Sequence, residues 1–355
     1  GDARRDRDLR LVLHAAQHLA GGLRLVDGVE RLDLADLQLR AVRPDRPLEV
    51  AELVELAAMA FAEKDKLAAV LDGEHGEGAL LDILSVGTSA GGARAKAVIA
   101  FDPRSKQVRS GQTKLPPGFE HWLIKLDGVS NTGMDGREDR LGQSAPYGRI
   151  EYAYSLMAAA AGVEMSPCQL LAEGPRRHFM TRRFDRGEFG ERHHVITLCA
   201  LAHLDFNLTA THSYDQYLHT ITSLGLGPDA LQQAFRRMAF NVMAVNRDDH
   251  TKNFSFLRTR DGDWQLAPAY DVTHAYHPDS RWTSRHLMSV NGRFDAITLD
   301  DLHAVGERHA VPAYKRCLRE VRAAVDDWAT FAAAAEVPDD VIAAVASDMH
   351  RFRPA

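Results

Sequence analysis

The sequence predicts an α+β protein in two lobes. A β-rich N-terminal lobe spans 80–184 and a mainly helical C-terminal lobe spans 185–355, behind a helical segment at 1–79. Three observations carry this. Short apolar runs of strand character, punctuated by glycine and proline turns, crowd into 80–184. From Thr197 onward the apolar residues recur at helical spacing instead. Within that helical half lies a polar loop, Asn246-Arg247-Asp248-Asp249-His250-Thr251-Lys252-Asn253-Phe254-Ser255, that gathers two carboxylates, an imidazole, an ammonium and carboxamides.

Size and composition bound the answer. A chain of 355 residues can bury two substantial cores. A net charge of −6 argues against a general nucleic-acid binder and against a basic face for membranes, so neither contact is expected. Cys168, Cys199 and Cys317 are odd in number, far apart and without a C-x-x-C pair. They suggest a reducing compartment and neither a disulfide frame nor a zinc site. No apolar run reaches the roughly 18 residues of a membrane span, and no signal peptide is visible, so a cytoplasmic location is expected.

In chain order, 9–20 and 49–71 read as helices, the second with an apolar face of Val50, Leu53, Val54, Phe61 and Leu67. They read as a packing or docking appendage without chemistry. Leu80–Val86 leads into Gly87-Thr88-Ser89-Ala90-Gly91-Gly92-Ala93-Arg94-Ala95-Lys96, a strand–loop–strand whose backbone amides can approach a phosphate closely. It is neither a Walker A sequence nor G-x-G-x-x-G, and glycine-rich hairpins are common. His121–Leu126 reads as a strand holding Lys125. Edge-strand lysines usually just snorkel, but only eight lysines occur in the chain, and here the order is glycine loop, strand lysine, then a helix with a glutamate. That helix is Gly148–Ala161, with Glu151 in its first turn and Gly162 as its stop. The stretch between, Asp127–Pro146, is polar and turn-rich.

Gln169–Leu171 and His178–Phe184 read as strands around the Glu173-Gly174-Pro175 turn. The second would form a hinge near Arg182 and Phe184, whose backbone can hydrogen-bond an adenine edge. Helices follow at Thr197–Leu208, Tyr214–Leu224 and Asp229–Val245, with Asp229 as N-cap of the last and Leu231, Phe235, Met238, Val242 and Val245 as its buried stripe. Asp261-Gly262 marks a hairpin between Phe254–Leu257 and Trp264–Leu266. Tyr276–Gly292 reads as polar and mobile, and helices over 299–309, 313–334 and 338–352 close the chain.

The chemistry concentrates at Asp248, at Asn253 five residues later, and at Asp271, eighteen residues further on in Leu266-Ala267-Pro268-Ala269-Tyr270-Asp271-Val272. Either half alone favours the bland reading of a solvated loop and a turn-capping acid. Together they match the arrangement by which kinases hold magnesium and orient an acceptor hydroxyl. Mg²⁺ takes few protein ligands, prefers carboxylate and amide oxygen, and leaves its other positions to water and phosphate. On that reading Asn253 and Asp271 hold the metal and Asp248 takes the acceptor proton. Lys125, paired with Glu151, contacts the α/β-phosphates, Lys252 reaches the γ-phosphate, and His250 braces the loop. The amides of Ser89, Ala90, Gly91 and Gly92, with Lys96 behind them, cover the triphosphate.

These motifs resemble the HipA family of bacterial serine/threonine kinase toxins from about Ser85 to the C-terminus. The similarity rests on the Gly87–Lys96 loop, Leu123-Ile124-Lys125-Leu126, Arg183-Phe184-Asp185-Arg186, the Asp248–Ser255 loop, Pro268-Ala269-Tyr270-Asp271 and Met288-Ser289-Val290-Asn291-Gly292. The resemblance implies a kinase fold and ATP with Mg²⁺ as cofactors. By position it implies Asp248 as catalytic aspartate, Asn253 and Asp271 as metal ligands, and Lys125 as the ATP-contacting lysine. It also implies regulation by autophosphorylation at Ser89, with Thr88 as the competing hydroxyl. Such proteins act with a DNA-binding antitoxin, and the best-known members phosphorylate an aminoacyl-tRNA synthetase. A protein substrate of that kind and an antitoxin partner are therefore implied. The chain departs from the pattern at Thr197–His203, which lacks the family's acidic signature, and over its first 80 residues; it is closer to the YjjJ-type branch. Two rival readings are a small-molecule or lipid kinase and a nucleotide-binding pseudokinase.

Overall fold

Alternation along one sheet sets where the chemistry faces. Its strands are β1 (Arg94–Phe101), β2 (Val108–Ser110), β3 (Glu120–Ser130), β4 (Cys168–Glu173) and β5 (Arg176–Arg182). All neighbours are antiparallel, in the order β2-β1-β3-β5-β4. This computed structural model describes residues 50, 51, 54, 94–111, 115–130, 141, 145–187, 191–259 and 262–355. All belong to one unit, Arg43–Ala355. The expected helix 9–20, the strand Leu80–Val86 and the Gly87–Gly92 loop lie outside the described residues. Of the expected helix 49–71, only Val50, Ala51 and Val54 are described, all helical.

Side chains two apart on a strand share a face. Ala97, Ile99 and Phe101 of β1 and Trp122, Ile124 and Leu126 of β3 therefore form one apolar cluster, with Met180 and Val54. Their alternates turn to the opposite face. Lys96 and Lys125 are direct cross-strand partners in the β1–β3 register. Like charges placed so are destabilising unless anions meet them.

The first helix described whole, α1 (Tyr147–Ala160), crosses behind this sheet. Gly148 is required at its start, because a Cβ there would stand 2.5 Å from the Arg177 carbonyl oxygen of β5. Gly162, with φ +76°, ends the turn beyond its C-cap, Ala161. Although it precedes β4 and β5 in the chain, α1 buries Ile150, Ala153, Tyr154, Met157 and Ala158 in the main helical core and not in the sheet cluster. The Tyr154 hydroxyl donates to the Ala244 carbonyl at 2.6 Å, and its ring packs edge-on to Trp328 at 5.2 Å.

The helical half follows with differences from expectation. Strand β6 (His194–Thr197) leads into α2, which covers only Leu198–Leu201. The expected helix through Leu208 stops because His203 turns to φ +54° and the Asp205 carboxylate takes the Asn207 amide at 3.0 Å. Such local side-chain bonds compete with the helical ladder. After β7 (His212–Ser213), α3 (Tyr214–Ser223) opens on a capping box of Ser213 and Gln216. Helix α4 runs Gly227–Met243, not Asp229–Val245. Pro228 starts it two residues early, which moves Asp229 from the N-cap into the first turn. Strands β8 (Ser255–Arg258) and β9 (Trp264–Leu266) form the expected hairpin, with β6 on its other side.

Tyr276–Gly292 is not the loose segment its polarity suggests. His286, Leu287, Met288, Ser289 and Val290 are all buried, and β10 (Met288–Ser289) pairs in parallel with β7. The last elements are α5 (Leu299–Arg308), α6 (Tyr314–Asp326), α7 (Trp328–Ala334) and α8 (Asp339–Arg351). The expected single helix 313–334 breaks at Asp327, where Trp328 buries and donates its indole N–H to the Ile342 carbonyl at 3.1 Å. Among the described residues no helix is long and apolar enough to cross a membrane.

Candidate active site

Helix α4 delivers the chain to the acidic loop through a costly backbone. Val245 takes φ +55°, a left-handed conformation that β-branched residues resist. It is held by Ala275, whose N–H reaches the Val245 carbonyl and whose carbonyl accepts Arg247 N–H, both at 3.1 Å. Asp271 also takes a positive φ, +52°. Each such residue costs about 1–3 kcal/mol, and such strain clusters at functional sites.

The two neighbouring acids of the loop face opposite ways. The side chain of Asp249 is fully buried, while that of Asp248 is 39 % exposed. Asp249 accepts the Tyr214 hydroxyl at 2.8 Å, His286 Nδ1 at 2.8 Å and the Leu287 amide at 2.7 Å. It thus ties the loop to α3 and to the 286–290 strip. Arg247 is also buried. It bonds the Ser284 carbonyl, pairs with Asp295 at 2.9 Å and lies 3.8 Å from the centre of the Phe352 ring. Nothing in the sequence distinguishes these anchors from Asp248, since alternation in a loop has no fixed period.

Lys125 joins elements far apart in sequence. Its ammonium lies 2.5 Å from Glu151 Oε1 and bonds Asp271 Oδ1 as well. The expected lysine–glutamate pair is therefore present and extends to the second acid. Burial opposes ionisation of Asp271, but Lys125 and Lys96 hold its carboxyl well below the usual carboxylate range. A third of that side chain remains exposed. Lys96 thus adds its charge to that of Lys125 at this carboxylate.

Asn253 donates its amide N–H to the Asp248 carbonyl at 2.8 Å, which leaves its side-chain oxygen as an acceptor. Asn253 and Asp271 line one small cavity with Asn246, Asp249 and Tyr270. Tyr270 fixes this geometry, its hydroxyl bonding the Lys252 carbonyl at 2.6 Å and Ser255 Oγ at 2.5 Å. One ionised carboxylate and one amide oxygen fit Mg²⁺, which completes its shell with water and phosphate. Among the described residues no cluster of three or more His, Cys, Asp or Glu side chains forms a self-sufficient metal cage.

The other expected residues are placed as follows. His250 Nε2 lies 3.9 Å from Asp248 Oδ1. The Lys252 ammonium, expected to reach a γ-phosphate, sits 3.3 Å from the centre of the Phe206 ring. Strand β5 ends at Arg182, whose N–H bonds the Pro167 carbonyl at 2.9 Å and whose guanidinium pairs with Glu120. Phe184 lies beyond the strand, its ring 5.8 Å from that of Tyr270. Asp185 clamps Arg183 through two bonds of 2.8 and 2.6 Å. Thr88, Ser89, Ala90, Gly91 and Gly92 lie outside the described residues.

A two-carboxylate loop facing a lysine-bearing antiparallel sheet defines a class, and the comparisons give it a family. The family model described as HipA-like C-terminal domain matches residues 88–345, so this chain belongs to the HipA-like C-terminal domain family. Among solved structures it is similar to HipA in the Shewanella oneidensis MR-1 toxin–antitoxin complex with HipB and operator DNA. Identity is 18%, the TM-score is 0.53, and the match covers 74% of this chain and 63% of that one. At that identity the likeness establishes the fold, and the chain spans less than two thirds of that HipA. A further match is the Helicobacter pylori proinflammatory kinase CtkA, at 11% identity and TM-score 0.35, over 66% of this chain and 92% of that one. Among curated proteins no match was found.

Proposed function

We propose that this protein is an ATP- and Mg²⁺-dependent serine/threonine protein kinase that acts as the toxin of a toxin–antitoxin pair, on the YjjJ-type branch. The observation that carries the reading is the Lys125 ammonium joining Glu151 to Asp271, which lies 146 positions after the lysine. Lys125 and Lys96 together offer two cations to a triphosphate. Asn253 and Asp271 would hold Mg²⁺, which when bound neutralises charge on the transferring phosphate. Asp248, exposed at the loop, takes the proton of the acceptor hydroxyl. That oxygen forms the new P–O bond as the bond to the β-phosphate breaks and ADP leaves. Fixed cations supply most of the rate, and the base adds roughly 10²–10⁴-fold.

The Shewanella HipA is found with HipB and operator DNA. We accordingly propose a DNA-binding antitoxin as partner and a translation protein, such as an aminoacyl-tRNA synthetase, as substrate. Autophosphorylation at Ser89, or at Thr88 beside it, would silence the enzyme. The test is incubation with γ-labelled ATP and cell lysate. Label should enter serine or threonine of protein, and Asp248→Asn should lower it by roughly 10²–10⁴-fold. Label confined to small molecules would make this a metabolite or lipid kinase. Unchanged transfer by Asp248→Asn would remove Asp248 from the chemistry, and nucleotide binding without turnover would mean a pseudokinase.

A further inference from the structure

Beside Asp248 lies an aromatic surface to which the mechanism assigns no work. Phe206 stacks on Trp282, with ring centres 6.4 Å apart and 25° between planes. It meets His250 edge-on at 5.7 Å and carries the Lys252 ammonium at 3.3 Å. Both partners sit within four positions of Asp248. Two residues further along the same loop, Leu208 is 52 % exposed and is the one exposed large hydrophobic among the described residues. A lone exposed leucine needs no explanation, but one two positions from a partly exposed aromatic that itself packs on Trp282 and His250 does.

The surface is held in place and does not merely hang from the fold. Thr251 Oγ1 donates to the Leu204 carbonyl at 3.2 Å, Arg281 to the Asn207 carbonyl at 3.4 Å, and His212 Nε2 bonds the Asp205 carbonyl at 2.7 Å. The loop is bounded by non-glycine residues in left-handed conformation, His203 at φ +54° and Ala210 at φ +57°. Strain of that kind persists only where the surroundings enforce it.

We propose that Phe206, Leu208 and Trp282 form a subsite for one large apolar or aromatic side chain of the acceptor protein, close in sequence to the hydroxyl presented to Asp248. This rests on the kinase reading and adds to it the chemistry of the acceptor segment. An aromatic surface with cations can also stack nucleobases. Here Lys252, Arg281 and Arg285 are matched in the same segments by the exposed Asp205 and Asp279 and the half-open Asp248, which leaves no surplus positive charge for a phosphate backbone.

The experiment is a degenerate peptide library around a fixed serine, phosphorylated by the full chain, with ATP hydrolysis followed in parallel. The wild type should select a large apolar residue at one position. Leu208→Asp, which disturbs no buried packing, and Trp282→Ala should flatten that selection. Each should raise the peptide KM by about ten- to a hundredfold, the scale of desolvating one large apolar side chain. In both, kcat and peptide-free ATP hydrolysis should stay within about twofold of wild type. A wild type that phosphorylates peptides without apolar preference, or variants that keep the preference, would overturn the subsite and leave the kinase reading intact. Competition by single-stranded oligouridylate, lost in the variants while peptide selection stays flat, would make the surface a nucleobase platform. No ATP turnover of any kind would overturn both readings.

Discussion

Replacing Lys125 by methionine separates stability from chemistry. The change keeps the bulk of the aliphatic stem and removes only the charge. In the native state the lysine side chain is 10% exposed and that of Glu151 only 2%, whereas that of Asp271 is 33% exposed. Removing one partner of a buried pair leaves an uncompensated charge and costs about 3–5 kcal/mol. Most of this arises at Glu151, because water can reach Asp271. Unfolding by urea, followed by tryptophan fluorescence, should show that loss, with a drop in Tm of roughly 5–15 °C. Adding Glu151→Gln to Lys125→Met removes the buried charge that Lys125 had faced and should recover about 2–4 kcal/mol. If the proposed kinase reading holds, phosphate transfer should be lost in both, since neither restores the Lys125 cation. If Lys125→Met unfolds at the wild-type midpoint, or the double variant is no more stable than the single, the buried pair does not carry the weight assigned to it.

Two more predictions follow from buried groups. Asp249→Ala removes the acceptor of the Tyr214 hydroxyl, of His286 and of the Leu287 amide. At about 1–3 kcal/mol for each of the three this should cost about 3–9 kcal/mol in thermal or urea unfolding, whereas Asp248→Asn, at a half-open side chain, should leave stability within about 0.5 kcal/mol of wild type. His178 accepts the Asp127 N–H on Nδ1 at 2.9 Å and turns Nε2 to Glu173 at 3.2 Å, which defines a neutral ring. Burial lowers its pKa, and the Glu173 bond only partly restores it. The unfolded chain therefore binds a proton at about pH 6.5 that the folded ring refuses, so stability falls as pH drops through that value. His178→Gln should flatten this slope; an identical pH dependence in the variant would show that His178 titrates alike in both states.

Much of the architecture is legible in local pattern. Period-two alternation places β3 and β5, helical spacing places α1, α3 and α4, and Asp261-Gly262 places the β8–β9 turn, because these signals depend only on near neighbours. The spacing of Asp248, Asn253 and Asp271, with a glycine loop and Lys125 ahead of them, is what the proposal of a phosphate and a divalent cation draws from residue type alone. Tertiary contact decides the rest. It selects Asp248 over Asp249 as the exposed acid, since only the fold supplies three donors to one of two adjacent carboxylates. It draws α1 into the helical core through Tyr154 and Trp328, which fixes Glu151 beneath Lys125. It buries 286–290 despite their polar neighbours and stops α2 at Leu201, freeing Phe206 to stand beside His250. A linear pattern records what each residue prefers; which preferences prevail depends on partners tens to hundreds of positions away.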